Sequence, residues 1–144
     1  MARIDRALEY FNNGYNCCQS VIMAYCDMFG LSAEKGQAVA AGYGGGIAGM
    51  RQMCGVLNSM VILAGLRFGN DAKNKTSLNE TIKLMFSEFQ SSTGSDNCKI
   101  LLTKAAGFHH PIFAEYDASH FKRPCAKYVI LACEIIESKL LGQQ

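Results

Sequence analysis

Apolar positions along this chain recur every three or four residues, and alternation of period two is nearly absent. Ile4, Ala7, Leu8 and Phe11 predict a helix over residues 2–11, broken by Asn12-Asn13-Gly14. Asn16 is a good N-cap for a second helix over roughly 17–29, which Gly30 ends. Ser32 caps a short alanine-rich helix reaching about Tyr43. After a run of glycines, a long apolar helix is expected from about Met53 to Phe68, stopping at Gly69-Asn70. Ser77-Leu78-Asn79-Glu80 is spelled as a capping box and predicts a helix to about Ser92, terminated by Gly94. Ser95 or Asp96 would cap a further short helix containing Cys98, Leu101 and Leu102. Residues 105–123 look irregular; Pro124 suits the first turn of a last helix, and Gly142 marks its end. Nothing repeats and no linker divides the chain. The expectation is an all-α fold, a single compact multi-helix bundle over residues 1–144 with a glycine-rich loop between helices.

That loop contains Gly44-Gly45-Gly46-Ile47-Ala48-Gly49, a match to the G-x-G-x-x-G of dinucleotide-binding turns. The fingerprint works only between a strand and a helix, within a βαβ unit. Here an alanine-rich helix precedes it, and no G-x-x-x-x-G-K-[ST] occurs elsewhere. The glycines therefore read as backbone freedom and close approach, letting the chain turn tightly and deliver Cys54 to the start of the next helix.

Charge excludes more than it suggests. The chain has 14 basic and 12 acidic residues, a net charge of +2, and no basic block, which makes nucleic acid a poor partner. Its start, MARIDRALEYF, is charged where a secretory signal would be apolar. The most apolar stretch, Val56 to Leu66, contains Asn58 and Ser59 and is too short to span a bilayer. The expectation is a soluble cytoplasmic protein without a membrane partner. Seven cysteines are the compositional outlier; their number is odd and their spacing fits no secreted disulfide framework or C-x-x-C motif. In a reducing compartment they can be metal ligands, redox thiols or small buried hydrophobes.

Local setting divides the seven. Cys17, Cys54, Cys98 and Cys125 all fall at expected helix N-termini, where unpaired N–H groups and the helix dipole stabilise a thiolate. Lys122 and Arg123 add positive charge beside Cys125. Cys133 lies on the apolar stripe of Val129, Ile136 and Leu140, Cys26 among Ile22, Met23 and Phe29, and Cys18 on the face of Ile22 and Tyr25. Those three are expected to pack.

The same residues carry a resemblance. Phe11-Asn12-Asn13-Gly14-Tyr15-Asn16-Cys17, Gly42-Tyr43-Gly44-Gly45-Gly46 followed by Cys54-Gly55, Gly94-Ser95 with Cys98 and Leu101-Leu102, and Cys125-Ala126-Lys127-Tyr128-Val129 follow in order. Together they resemble, over nearly the whole chain, the small redox-active proteins named for a C…GCAxxG…C…C pattern. The resemblance selects the same four cysteines and implies a redox role without naming a substrate. This chain departs from the pattern at Val56 and at Ser59, where a glycine would stand, and at Ala48 and Arg51, where glycines are common in the loop. Arg51 could bring a cation to a thiolate, although a solvated side chain is the simpler expectation.

Two functions fit these residues. In the first, Cys17, Cys54, Cys98 and Cys125 converge, and a pair cycles between dithiol and disulfide with an unidentified redox partner. In the alternative, the four hold zinc or an iron–sulfur cluster, and His109, His110 or His120 could join Cys98 and Cys125 in a mixed site. Two close sulfur pairs would favour the first, four sulfurs around one void the second. A helical interaction module whose cysteines merely pack is a third reading, and homodimerisation is compatible with all three.

Overall fold

The computed structural model describes residues 1–142, so the final two positions of the expected 1–144 unit lie outside the described residues. Seven α-helices follow one another, with no strand among the described residues: α1 (Arg3–Asn12), α2 (Cys17–Tyr25), α3 (Ala33–Ala40), α4 (Gly55–Phe68), α5 (Lys75–Thr93), α6 (Cys98–Lys104) and α7 (Ala126–Ile135). The all-α expectation holds. None of these helices is long and apolar enough to cross a membrane.

α2 is the central element. A helix apolar on all sides belongs in an interior, and from Cys18 to Tyr25 every residue except Gln19 is buried. It touches α1, α3, α4 and α7, while α5 closes the far side against α4 and α7. Tyr25, Tyr128, Phe89, Ile22, Leu57 and Met60 are among the large, fully buried side chains of one continuous core. Cys18, Cys26 and Cys133 lie in it at 0% exposure, as small hydrophobes.

Several helix starts differ from the sequence expectation, each because a different side chain wins the cap. Asp71 accepts from the Lys73 N–H and opens a 3₁₀ turn, Ala72–Asn74, that runs directly into α5. α5 therefore begins at Lys75, and Ser77 and Glu80 stand inside it rather than forming a capping box. Asn97, and neither Ser95 nor Asp96, caps α6 by accepting from Ile100 N–H at 3.1 Å. α2 tightens after Tyr25 into a 3₁₀ turn, Cys26–Phe29, that the left-handed Gly30 terminates. Residues 105–123, expected to be irregular, contain three such turns: Ala105–Gly107, Pro111–Glu115 and Ala118–Phe121.

The glycine-rich loop has an unusual backbone. Gly45, Gly46, Ile47, Ala48 and Gly49 form an unbroken left-handed run, with φ of 60°, 71°, 67°, 50° and 75°, and Arg51 follows at 58°. Its N–H groups reach back along the loop, Ala48 to Gly42 O at 2.8 Å, Arg51 to Gly45 O at 2.9 Å and Gln52 to Gly46 O at 2.9 Å. Left-handed backbone costs an L-residue ~1–2 kcal/mol, so Ala48 and Arg51 are strained. Ala48 is exposed. Ala48→Gly is therefore expected to stabilise the fold by about 0.5–1 kcal/mol, the relieved strain exceeding the ~0.4–1 kcal/mol entropic cost of glycine. Chemical denaturation measures it; a lower midpoint would contradict this account of the loop.

Candidate thiol site

Each of the four cysteines begins a helix, but not in the same way. Cys17 is the first residue of α2, behind the Asn16 cap, whose Oδ1 accepts from Gln19 N–H at 2.8 Å. Cys98 is the first residue of α6, behind the Asn97 cap. Cys54 and Cys125 are instead themselves the caps of α4 and α7, and neither side chain makes a capping hydrogen bond. The sequence places Cys54 and Pro124 in the first turns of their helices; Cys54 is instead the cap of α4, and Pro124 precedes the cap of α7.

The loop brings these starts together. Cys54 N–H donates to Asp96 O at 2.9 Å, Cys98 N–H donates to Gln52 O at 2.6 Å, and Asn97 Nδ2 donates to Arg51 O at 3.2 Å. The start of α6 is thus stitched to the segment leading into α4. Asn16 holds the other side, donating from Nδ2 to Ala41 O at 3.2 Å while its side chain lies so near Gly44 that a Cβ there would approach within 2.8 Å. Missing methyl groups permit the remaining contacts. A Cβ on Gly46 would meet that of Cys98 at 2.6 Å, and one on Gly55 would meet the Cys17 sulfur at 2.6 Å.

All four cysteines line one cavity of about 450 Å³. Cys54 is buried; Cys17, Cys98 and Cys125 are half-buried. Their electrostatics diverge. The Cys17 thiol is lowered from an ordinary 9.0 to about 7, first by the hydrogen bond from the Cys54 thiol, with the N–H groups of Cys18, Gly55 and Cys17 itself working against burial. Those N–H groups belong to two helices, so this sulfur sits where α2 and α4 both begin. Cys54 moves well above its ordinary value because it donates to Cys17, is buried, and lies beside the Cys17 charge. Cys125 rises to about 11: burial dominates, the charges of Cys17 and Cys98 add to it, and Arg123 and Arg51 offset only part. The expectation that a helix start prepares each of these thiols as an anion is therefore corrected for Cys54 and Cys125. At Cys54 the Val56 N–H does favour the anion, but the hydrogen bond to Cys17, burial and the Cys17 charge outweigh it, and at Cys125 burial dominates. Burial likewise pushes the Cys18, Cys26 and Cys133 thiols upward.

Other side chains at the site carried weaker signals in the sequence. Arg51 is not simply solvated, since its Nη1 donates to the Cys98 sulfur at 3.5 Å. Arg123 donates to Phe11 O at 2.5 Å and Tyr15 O at 3.1 Å, stacks over the Phe11 ring at 3.7 Å, and so locks the approach to Cys17. Tyr128 donates to Leu101 O at 2.6 Å and closes the cavity floor. His109, His110 and His120 do not line the cavity. His110 accepts from Ile112 N–H at 3.2 Å, and His120 pairs with Asp117 at 3.0 Å, so both organise 3₁₀ turns. Among the described residues no three His, Cys, Asp or Glu side chains come together closely enough to hold a metal ion. The four sulfurs share one void, as the metal alternative requires, but no three of them lie close enough together to form a ready-made metal site.

Gly55→Ala is expected to destabilise the fold and return the Cys17 thiol toward its ordinary range. Overpacking typically costs ~1–3 kcal/mol and exceeds the gain of up to ~1 kcal/mol in helix propensity. Gly65→Ala is the control on the same helix, because a Cβ there meets nothing within 4 Å. Denaturation midpoints and the alkylation pH profile of each variant check this; equal behaviour of the two would remove Gly55 from the site.

A family model described as "C_GCAxxG_C_C: Putative redox-active protein" matches residues 15–139. No curated protein and no solved structure matches the chain.

Proposed function

The chain belongs to the C_GCAxxG_C_C family, and on that premise we propose that it is a thiol–disulfide redox protein in which Cys17 attacks and Cys54 resolves. The observation that carries this reading is the placement of the Cys17 sulfur, at the start of α2, so close against Gly55 at the start of α4 that a Cβ there would meet it at 2.6 Å, with Cys54 the adjoining residue on the same cavity. The Cys17 thiol is lowered into the range where a thiolate is abundant at neutral pH and still a good nucleophile.

The chemistry closes in two exchanges. The Cys17 thiolate attacks one sulfur of a substrate disulfide R–S–S–R′; the Cys17–S–S–R bond forms, the substrate bond breaks, and R′–S⁻ leaves and takes a proton from water. Cys54 then loses its proton to water and attacks the Cys17 sulfur. A Cys17–Cys54 disulfide forms and R–S⁻ leaves, so the substrate gains two electrons and the two cysteines lose them. An external dithiol returns the protein to its starting state.

The order of events follows from the electrostatics. Two of the four causes that hold the Cys54 proton are the hydrogen bond to Cys17 and the Cys17 charge. Both vanish once Cys17 is bonded to substrate, which leaves burial and the weaker effect of Cys98 to oppose ionisation. Cys54 thus becomes easier to ionise at the step that needs it. Cys98 and Cys125 line the same cavity.

The four-cysteine metal or iron–sulfur alternative has the shared cavity in its favour and the donor spacing against it. Iron or zinc retained stoichiometrically after anaerobic purification would favour that alternative over disulfide exchange.

Site-resolved alkylation over a pH series tests the proposal. Cys17 is expected to reach half its limiting rate near pH 7, with Cys18 and Cys133 unreactive until the fold opens. Cys54→Ala should raise that midpoint by removing the donor and should trap the mixed disulfide at Cys17. An unmodified midpoint, or complete turnover without Cys54, would exclude this assignment.

A further inference from the structure

Two sulfurs that exchange directly need no void beside them, yet about 450 Å³ opens here. That volume lies in the range of pockets that enclose a small organic ligand. Its wall is divided by chemistry. Phe11, Leu101, Leu102, Pro124 and Tyr128 provide an apolar lining, and Arg51, Lys122 and Arg123 stand among them without a single Asp or Glu. The chain as a whole carries 14 basic and 12 acidic residues, so this one-sided charge is a local property. With Cys17 ionised, the cations still outnumber the thiolate.

The three cations are not equivalent. Arg123 is committed to the carbonyls of Phe11 and Tyr15 and to the Phe11 ring. Arg51 leans on the Cys98 sulfur from a left-handed backbone. Lys122 is exposed and, among the described residues, makes no hydrogen bond or ion pair. An ammonium group at the mouth of an apolar cavity, with no carboxylate to neutralise it, suits the charged end of an anionic molecule whose body is apolar.

We propose that the cavity binds a small organic anion carrying a disulfide, its charged end at Lys122 and Arg51 and its body along Phe11, Leu101 and Leu102. The inference rests on the reading of Cys17 as the attacking thiolate. It names the substrate R–S–S–R′ of the exchange above as an anionic low-molecular-weight disulfide, released as two thiols.

The test uses the reduced full chain and three aliphatic disulfides that differ mainly in charge: anionic 3,3′-dithiodipropionate, neutral 2-hydroxyethyl disulfide and cationic cystamine. Cys17 oxidation is expected to be about tenfold faster with the anion than with the cation at low ionic strength, the gap closing as salt is added. Lys122→Gln should reduce the anion-to-neutral rate ratio severalfold. A second arm removes the chemistry: Cys17→Ser protein is titrated with the unreactive thioether 3,3′-thiodipropionate, and saturable one-site binding, weakened by Lys122→Gln, is expected. Rapid reaction of Cys17 with all three disulfides at equal rates, with no saturable binding of the thioether, overturns the anionic substrate and leaves the thiolate assignment standing. Slow reaction with all three while the thioether binds overturns the disulfide substrate together with the thiolate assignment.

Discussion

A single sulfur held where two helices begin is the contact on which the rest of this structure depends. Lowering a thiol from 9.0 to about 7 favours the anion by ~3 kcal/mol. One helix terminus supplies ~0.3–1 kcal/mol to an exposed charge and up to about 2 kcal/mol in a favourable, partly buried geometry. The hydrogen bond from the Cys54 thiol is the largest contribution at Cys17, and N–H groups from both α2 and α4 add to it against the effect of burial. The arrangement requires the Cys17 sulfur to lie against the backbone at Gly55, where any side chain would occupy its space.

The same requirement explains the loop. To start α4 against α2 while holding α6 alongside, the chain must reverse within a few residues and present its carbonyls and N–H groups to residues 96–98. A five-residue left-handed run accomplishes this. Strain at Ile47, Ala48 and Arg51 is the local cost of that geometry. At Arg51 the strained residue also places a guanidinium on the Cys98 sulfur. Backbone strain held at a functional segment, with the surrounding packing maintaining it, is a recurrent pattern.

Much of the fold was legible because helical periodicity and capping residues are local signals. Asn16, Ser32, Gly30 and Gly94 mark boundaries that the structure retains. Ser77 and Glu80 misled because a cap six residues earlier, Asp71, had already started the turn that becomes α5. The site was legible as a set of residues and not as a set of energies. Spacing placed Cys17, Cys54, Cys98 and Cys125 at helix starts, but whether a sulfur turns toward the free N–H groups depends on the side-chain torsion and on neighbours far away in sequence. Cys54 is held by its hydrogen bond to Cys17 and by burial, and Cys125 by burial and the charges of Cys17 and Cys98, so both are pushed the opposite way from Cys17. Arg51 was equally hidden, since nothing in the sequence reports a left-handed backbone at a non-glycine residue.

The most direct measurement follows the ¹³Cβ resonance of Cys17 in the reduced, selectively labelled protein through a pH titration. The account predicts an ionisation step near 7, while the buried Cys133 resonance stays that of a thiol throughout. A Cys17 step at or above the ordinary thiol value of 9.0 would show that the paired helix starts do not hold an anion.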